Sequence, residues 1–433
     1  MTSPVTLSVA SALAYAQTSS SPIAVSDYGI NIGNKADALA ALGKQLVSVQ
    51  DTSDTPPFPW YISVADVLAL APKMFDSTGK LETFNAINDT LANVTANAAK
   101  LLALGPQIVA GGIQVNDTAA NITAKATVLA TLGTDVAITI NDTAANVATY
   151  VNQLLAMGTQ QIGAGAINVT DTTANVVANA TALTKLGAEL AIWINDTTAN
   201  VVNNETKLLA LAPQLSAGGI SISDSVANIV ANSAALIQMP ASLNVSVTAT
   251  DTLAHINANM PKLLALGNEL GGFLLKNNAS ISILSTDGKS VTMDMPDALI
   301  FFKQGLNAPI KVADDGSNLN LNTLVAMGNQ LLSVQDTTVG DNPFSSAITV
   351  AQLLALAPKM TDALGNAETF NNITDTVANI NANQANLLSL GAALGGFSLP
   401  DGTTISILSA NGKSVTLDSV SYTHLTLPTI LRV

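Results

Sequence analysis

An aspartate recurs along this 433-residue chain at nearly constant intervals. Seven consecutive copies are 25 to 29 residues apart, and an eighth follows later. The series consists of Asp89, Asp117, Asp142, Asp171, Asp196, Asp224, Asp251 and Asp375. A row of carboxylates can bind calcium, but each ion takes about six to eight oxygen ligands and each repeat supplies one such carboxylate. The Asp, or the Thr that usually follows it, suits a helix N-cap, whose side-chain oxygen accepts from an unpaired N–H group. We therefore predict that the aspartates are structural capping residues.

An asparagine stands four residues after almost every one of these aspartates. The series consists of Asn93, Asn121, Asn146, Asn175, Asn200, Asn228 and Asn379. Several repeats carry a further asparagine four residues later, one helical turn away. Because an amide both donates and accepts hydrogen bonds, we predict that equivalent asparagines of neighbouring repeats join in a lateral ladder. Such a ladder would explain why only 11% of the residues are charged, against about 25% in ordinary globular domains.

His255 takes the place of the asparagine in one repeat. The other histidine, His424, lies in a C-terminal stretch that does not match the repeats, so no second histidine is available for a metal pair or for activating a nucleophile. The chain has no cysteine, which excludes disulfides, thiolate catalysis and cysteine-bound zinc. We predict no catalytic, cofactor-binding or metal-binding residue, and we interpret His255 as a substitute for the asparagine.

The residues around each aspartate predict one strand and one helix. A β-branched residue five positions after the aspartate, a leucine at twelve and a leucine or methionine at fifteen fall on one side of a helix of about four turns. A glycine at sixteen suits the residue after a helix, which often needs a left-handed conformation. Alternating runs such as Ile113-Gln114-Val115 and Ile167-Asn168-Val169 precede the aspartates and are typical of strands.

These units indicate an α/β fold built from repeats. No unit carries enough apolar surface to be stable alone, and the spacing is shorter than the roughly 30 residues of a βαβ crossover. We therefore predict a repeat solenoid with one short parallel strand and one helix per coil of about 27 residues. At about 4.8 Å between strands, about fifteen coils would give a sheet about 70 Å long. Helices need more room than strands, so the strands should line the concave side.

The periodicity divides the chain into five segments. Degenerate coils occupy residues 1–88, regular Asp-Thr-x-Ala-Asn repeats occupy 89–275, a hairpin insert and further degenerate coils occupy 276–374, and a repeat with a truncated hairpin occupies 375–419. Asp287-Gly288 and Asn411-Gly412 suit type I′ hairpin turns. Within the degenerate segments, Gln50-Asp51-Thr52 matches Gln335-Asp336-Thr337, which indicates a larger duplication at an offset of 285 residues.

The two ends of the chain need separate treatment. Residues 420–433 break off the repeat pattern and look like a translated sequencing adapter, so we exclude them and expect the natural protein to continue beyond this fragment. Residues 4–16 resemble a weak signal peptide, but they lack a basic n-region and match two internal repeats. We interpret them as a repeat unit.

Charge and hydropathy exclude several classes of protein. The net charge of −14 disfavours binding to nucleic acid or to anionic lipid, which both require clustered Lys and Arg. Mean hydropathy is +0.39, yet no uninterrupted apolar run reaches the length of about 18 residues expected of a membrane span. We expect neither nucleic-acid binding nor membrane insertion.

The pattern Asp-Thr-x-Ala-Asn-(Val/Ile), followed by Ala-Asn and Leu-x-x-Leu-Gly, resembles the Ala/Asn-rich repeats of large bacterial surface or secreted proteins of the adhesin-like, RTX-associated kind. The resemblance covers nearly all of residues 1–419 and implies an extracellular structural or adhesive role. The Gly-Gly-x-Gly-x-Asp nonapeptides of the RTX class are absent here, so calcium-driven folding does not carry over.

We therefore expect a non-catalytic extracellular or cell-surface scaffold or spacer of a large bacterial adhesin-like protein. Host or matrix glycans or proteins are its candidate partners, through the concave face. Two alternatives stay open: a linker segment of a secreted toxin, and a solenoid that binds or acts on polysaccharide.

Overall fold

A computed structural model describes residues 3–53, 57–159, 161–339, 344, 346–399, 404–410 and 414–417. It has an α/β architecture, with about 47% helix and 26% strand, and no sheet in the described ranges closes into a barrel. The excluded stretch 420–433 lies outside the described residues.

Most strands are short, and each repeat contributes one. The described strands are β1 (Val5–Leu7), β2 (Ile23–Asp27), β3 (Leu46–Asp51), β4 (Met74–Phe75), β5 (Ile87–Asn88), β6 (Ile113–Asp117), β7 (Val136–Asp142), β8 (Ile167–Asp171), β9 (Leu190–Asp196), β10 (Gly219–Asp224), β11 (Val245–Asp251), β12 (Leu270–Leu275), β13 (Ser280–Ser282), β14 (Ser285–Thr286), β15 (Val291–Met293), β16 (Ile310–Asp314), β17 (Leu331–Asp336), β18 (Met360–Thr361), β19 (Ile373–Thr374), β20 (Gly396–Ser398), β21 (Thr404–Ala410) and β22 (Val415–Leu417).

The helices lie between the strands, and many end in a single 3₁₀ turn. The described α-helices are α1 (Val9–Ala16), α2 (Gly29–Gly33), α3 (Ala36–Ala41), α4 (Val64–Leu70), α5 (Leu91–Ala96), α6 (Ala98–Leu102), α7 (Ala119–Ala124), α8 (Ala126–Leu132), α9 (Ala144–Met157), α10 (Thr173–Leu183), α11 (Thr198–Val202), α12 (Glu205–Leu209), α13 (Ala212–Ala217), α14 (Val226–Ala231), α15 (Ser233–Gln238), α16 (Leu253–Leu264), α17 (Met295–Gln304), α18 (Leu321–Met327), α19 (Val350–Leu356), α20 (Val377–Ala382) and α21 (Gln384–Ser389).

The chain divides into two compact units. Their segments are Met1–Asp196, Asn203–Ile220 and Pro240–Asn244 for the first, and Thr197–Val202, Ser221–Met239 and Val245–Val433 for the second. In the first unit, β1 to β4 pair in parallel in chain order, and so do β5 to β9. In the second unit, β11 pairs in parallel with β12, β15 to β18 pair in parallel in chain order, and β19 pairs in parallel with β20.

The strand register keeps equivalent apolar side chains beside each other. Val115 lies opposite Ile138, and Val169 lies opposite Ile192; all four are at most 2% exposed. The helices supply the other side of the core through the predicted stripe. Its leucines at position twelve are all at most 2% exposed, which confirms the stripe: Leu101, Leu129, Leu154, Leu183, Leu208, Leu236, Leu263 and Leu387. Each such leucine stabilises the fold by about 2–5 kcal/mol relative to alanine.

The helix of a repeat is often shorter than the four turns predicted. It is continuous in α9, α10 and α16, but in four repeats (α5 and α6, α7 and α8, α14 and α15, α20 and α21) one residue with φ near −110° divides it into two pieces, as Asn97 does between α5 and α6. The amide of Asn97 donates to the carbonyl of Asn93 at 3.0 Å. The same bond, from Asn179 to the Asn175 carbonyl and from Asn259 to the His255 carbonyl, also occurs in the continuous helices α10 and α16, so it does not determine where a helix is divided.

The glycine at position sixteen has a positive φ, as predicted, in every repeat that carries it. Gly133 has φ 57° and ψ −129°, a region that is essentially restricted to glycine and differs from the left-handed helical region expected at a C-cap. This conformation reverses the chain from the helix into the 3₁₀ turn that precedes the next strand.

The first predicted hairpin is formed by β14 and β15, which are antiparallel. Four residues connect them, in place of a two-residue type I′ turn, and the Asp287 carboxylate accepts hydrogen bonds from the Lys289 and Ser290 N–H groups at 2.9 and 2.7 Å. In the second hairpin, β21 and β22 are antiparallel, and the predicted Asn411-Gly412 turn lies outside the described residues.

Candidate functional site

In seven of the regular repeats the helix N-cap is the hydroxyl residue directly after the aspartate. The Thr118 hydroxyl accepts a hydrogen bond from the Asn121 N–H group at 3.4 Å, and the Thr143 hydroxyl accepts one from the Asn146 N–H group at 3.3 Å. Thr90, Thr172, Ser225, Thr252 and Thr376 do the same in their repeats. The aspartate is therefore free of the N-cap role, and its two oxygens have other partners.

One oxygen of the aspartate stays within its own repeat. Asp142 Oδ1 accepts from the Thr143 N–H group at 2.8 Å and from the Asn146 side-chain amide at 2.7 Å. The same amide contact, also at 2.7 Å, is made by Asn93, Asn121, Asn175, Asn228 and Asn379 with the aspartate four residues earlier. Asn200 and Asp196 also make polar contacts.

The other oxygen reaches the preceding repeat. Asp142 Oδ2 accepts from the Ala119 N–H group at 3.0 Å, and Asp171 Oδ2 accepts from the Ala144 N–H group at 3.0 Å. Asp89, Asp196, Asp224 and Asp375 bind the first helical residue of their preceding repeats in the same way, at 2.9 to 3.1 Å. Each bond satisfies an N–H group that the helix itself leaves unpaired and places a negative charge at its positive end. We call this arrangement the aspartate bridge.

The aspartate bridge differs from the ladder expected from sequence. The six asparagine amides named above donate to a carboxylate in their own repeat, while the bond to the neighbouring repeat comes from the aspartate. The physical reason is charge: a carboxylate forms stronger hydrogen bonds than an amide oxygen and can accept from several donors at once.

Burial and hydrogen bonding shift the pKa of these aspartates in opposite directions. Burial disfavours the ionised form, but the bonds donated by the Asn or His side chain and by backbone N–H groups outweigh it. The pKa is therefore lowered for Asp27, Asp89, Asp224, Asp251 and Asp375. These carboxylates are ionised at neutral pH.

His255 makes the contact that the asparagine makes elsewhere. Its Nδ1 lies 2.8 Å from Asp251 Oδ1, and its carbonyl accepts from the Asn259 amide at 3.0 Å. The imidazole side chain is 67% exposed. His255 therefore takes the structural place of the asparagine in this repeat.

Two further kinds of contact between repeats were not anticipated. Directly before the aspartates, the Asn141 amide donates to Asn116 Oδ1 at 2.8 Å, and the Ser223 and Thr250 hydroxyls lie 3.0 Å apart. The recurrence of Asn before Asp, at Asn88, Asn116, Asn141 and Asn195, was the available signal.

The second kind lies after the helix and involves glutamine. The Gln161 amide donates to the Leu129 and Gly133 carbonyls of the preceding repeat at 2.9 and 3.0 Å, and the side chain is 6% exposed. Gln45, Gln107, Gln214 and Gln330 also donate to carbonyls more than 20 residues earlier. The spacing Gly-x-Gln at Gly43, Gly105 and Gly328 was a readable sign of this bridge.

The described residues contain no group of three or more His, Cys, Asp or Glu side chains placed to hold a metal ion. Among the helices of the described ranges, none combines the length and the apolar character that crossing a membrane requires.

No protein-family model matches the chain, and no curated protein is significantly similar to it. The resemblance to adhesin-like bacterial repeats therefore stays a prediction from the sequence pattern.

Proposed function

We propose that the protein is a non-catalytic scaffold or spacer segment of a large extracellular or surface-attached bacterial protein of the adhesin-like kind. In this proposal the strand–helix units stack as the coils of a solenoid. The observation that carries it is the aspartate bridge, because one side-chain contact, repeated at nearly constant geometry, joins six of the eight regular repeats to the repeat before each: those of Asp89, Asp142, Asp171, Asp196, Asp224 and Asp375.

The polar side chains of the motif support a structural role for it. The oxygens of Asp142 and the amide of Gln161 are occupied by protein donors and acceptors. A catalytic carboxylate must instead be within hydrogen-bonding reach of its substrate. A spacer requires only that every coil bind its neighbours, and the repeated bridges together with the parallel strand pairs supply such contacts.

Deleting one full period tests the stacking. Removal of residues 143–171 takes out 29 residues and joins Asp142 directly to Thr172, so the Asp-Thr motif is restored. We expect an unchanged far-ultraviolet circular dichroism spectrum per residue and cooperative urea unfolding, because stacked repeats contact only their neighbours. The matched control removes residues 143–157, about half a period, and should abolish cooperative unfolding. Equal damage by both deletions would contradict a stack of coils.

A second measurement tests the location. Antibodies against residues 89–275 should label intact cells of the bacterium that carries the whole gene, and brief protease treatment should remove the label. Labelling that requires permeabilised cells would contradict an extracellular role.

A further inference from the structure

The larger duplication provides two copies of one structural arrangement, which we call the frame. It consists of an aspartate that binds the start of the preceding helix and, after it in the chain, a pair of contacting phenylalanines. Phe58 and Phe84 meet edge to face at a centroid distance of 5.8 Å, and Phe344 and Phe370 do so at 5.7 Å. In the segment preceding each phenylalanine pair, the equivalent carboxylates Asp27 and Asp314 bind the first N–H group of the helix before them, each at 2.9 Å. The two copies can therefore be compared near these shared residues, at an offset of 287 residues from the aspartate and 286 from the phenylalanines.

Three exposed aromatic residues occur in the first copy only. Tyr28, Trp60 and Tyr61 are 64%, 38% and 70% exposed. Counted from the shared aspartate and phenylalanine, the second copy has Asp315, Ser346 and Ala347 at these positions. Since the second copy forms the same frame without them, folding of the frame does not require the three rings.

In the first copy, Trp60 packs closely against two glycines of α2. A Cβ atom on Gly33 would lie 2.6 Å from Trp60 Cβ, and one on Gly29 would lie 2.9 Å from Trp60 Nε1. The Nε1 side of the indole therefore packs against the backbone of α2, while the residue as a whole keeps 38% of its surface exposed. The equivalent of Gly33 in the second copy is Asn320, so the glycine and the tryptophan occur together.

We propose that Tyr28, Trp60 and Tyr61 form a binding site for a neutral polysaccharide, which we call the aromatic site. Exposed aromatic rings stack on the C–H faces of sugar rings, and tyrosine hydroxyls can bond to sugar hydroxyls. The three residues carry no charge at neutral pH, and the chain has a net charge of −14, which disfavours acidic polymers. The ring pairs among the described residues are all phenylalanine pairs, so these three rings are not stacked on one another and their faces are not covered by a second ring. The site deepens the proposed scaffold function by giving the scaffold a partner.

The test uses the full chain and three probes: cellohexaose, laminarihexaose and mannohexaose. Trp193→Phe leaves Trp60 as the single tryptophan, since the chain contains two. We expect the Trp60 emission to change and saturate with at least one probe, at a dissociation constant of about 1 mM or below. Trp193 is itself 37% exposed, so unchanged calorimetric affinity in the Trp193→Phe variant serves as the matched control.

The disabling variant combines Tyr28→Asp, Trp60→Ser and Tyr61→Ala, the residues that the second copy of the frame already accommodates. It should fold, as judged by an unchanged circular dichroism spectrum, and bind the active probe at least tenfold more weakly by calorimetry. Absence of binding by all three probes up to about 10 mM would overturn the proposal, as would unchanged affinity in the triple variant or binding of a proline decapeptide in preference to the sugars. None of these results would affect the deletion of residues 143–171, which should still unfold cooperatively. Failure of the aromatic site is therefore distinguishable from failure of the scaffold.

Discussion

The carboxylate of Asp142 binds the backbone N–H group of Ala119, 23 residues earlier in the chain, at 3.0 Å. Ala119 is the first residue of α7, whose N–H group has no partner within the helix. The Asp142 carboxylate also binds its own Thr143 and Asn146. A single side chain thus fixes the start of two successive helices.

Removing the Asp142 carboxylate should destabilise the fold. We expect Asp142→Ala to lower the free energy of unfolding by about 2–3 kcal/mol, because hydrogen bonds to a charged group contribute about 1.5–3 kcal/mol and the variant leaves donors unpaired. Urea unfolding followed by circular dichroism measures the change. Asp37→Ala, at an exposed aspartate of α3, is the control and should change the value by less than about 0.5 kcal/mol. Equal effects of the two substitutions would contradict the role of the bridge.

The histidine in the asparagine series allows a rescue test. His255→Asn should leave the free energy of unfolding unchanged within about 0.5 kcal/mol, since asparagine makes the same contact in six other repeats. His255→Leu should cost about 1 kcal/mol, because leucine cannot bond to Asp251. A large loss in the asparagine variant would show that the imidazole has a role of its own.

Stability should fall in acid because of the aspartates with lowered pKa. A carboxyl group whose pKa is lower in the folded than in the unfolded chain stabilises the fold above its unfolded pKa, about 3.9, and this stability is lost as the pH falls through the folded pKa. Asn93→Leu removes a donor to Asp89 and should raise the pKa of Asp89 toward its ordinary value. Carbon-detected NMR titration measures this, with Asp375, in a separate repeat, as the unchanged reference. An unaltered Asp89 titration would argue against the amide contact.

Ionisation of two buried glutamates, Glu82 and Glu368, should instead destabilise the fold. Burial raises the pKa of Glu82 and of Glu368, and the nearby carboxylates, which are Asp51 and Asp76 in one copy and Asp336 and Asp362 in the other, add to this effect. Because the folded pKa is raised, ionisation disfavours the fold, and the penalty disappears as the pH falls through that pKa. Glu368→Gln should therefore raise the melting temperature at pH 7 and have no such effect at pH 3. Glu82→Gln should repeat the result, whereas destabilisation at pH 7 in both variants would show that the ionised carboxylates stabilise the fold.

The glycine turn can be tested with a matched pair of substitutions. Gly133→Ala should lower the free energy of unfolding by about 1–3 kcal/mol, because an L-residue is strained at its φ and ψ although no atom lies within 4 Å of the new Cβ. Gly163→Ala also meets no atom within 4 Å, but Gly163 does not have a positive φ, so this variant should be neutral or stabilise by up to about 1 kcal/mol. Urea titration of both variants separates conformational strain from crowding. Equal effects would exclude the strain explanation.

The sequence alone was enough to predict the strands, the apolar stripe of the helices and the positive φ of the turn glycines. These features depend on local periodicity and on the conformational freedom of single residues, both of which are readable from spacing. Leu129 and Leu154 are buried because they recur on one side of a helix, whatever their neighbours are.

Only the tertiary structure decided which polar atoms meet. Whether the partner of Asp142 is its own helix or that of the preceding repeat depends on how two segments separated by more than 20 residues align, and spacing does not determine that alignment. The seating of Trp60 on Gly29 and Gly33 depends in the same way on two segments brought together by the fold. Hydrogen bonds require their atoms to lie within a few tenths of an ångström of the right distance, whereas apolar burial tolerates any close neighbour.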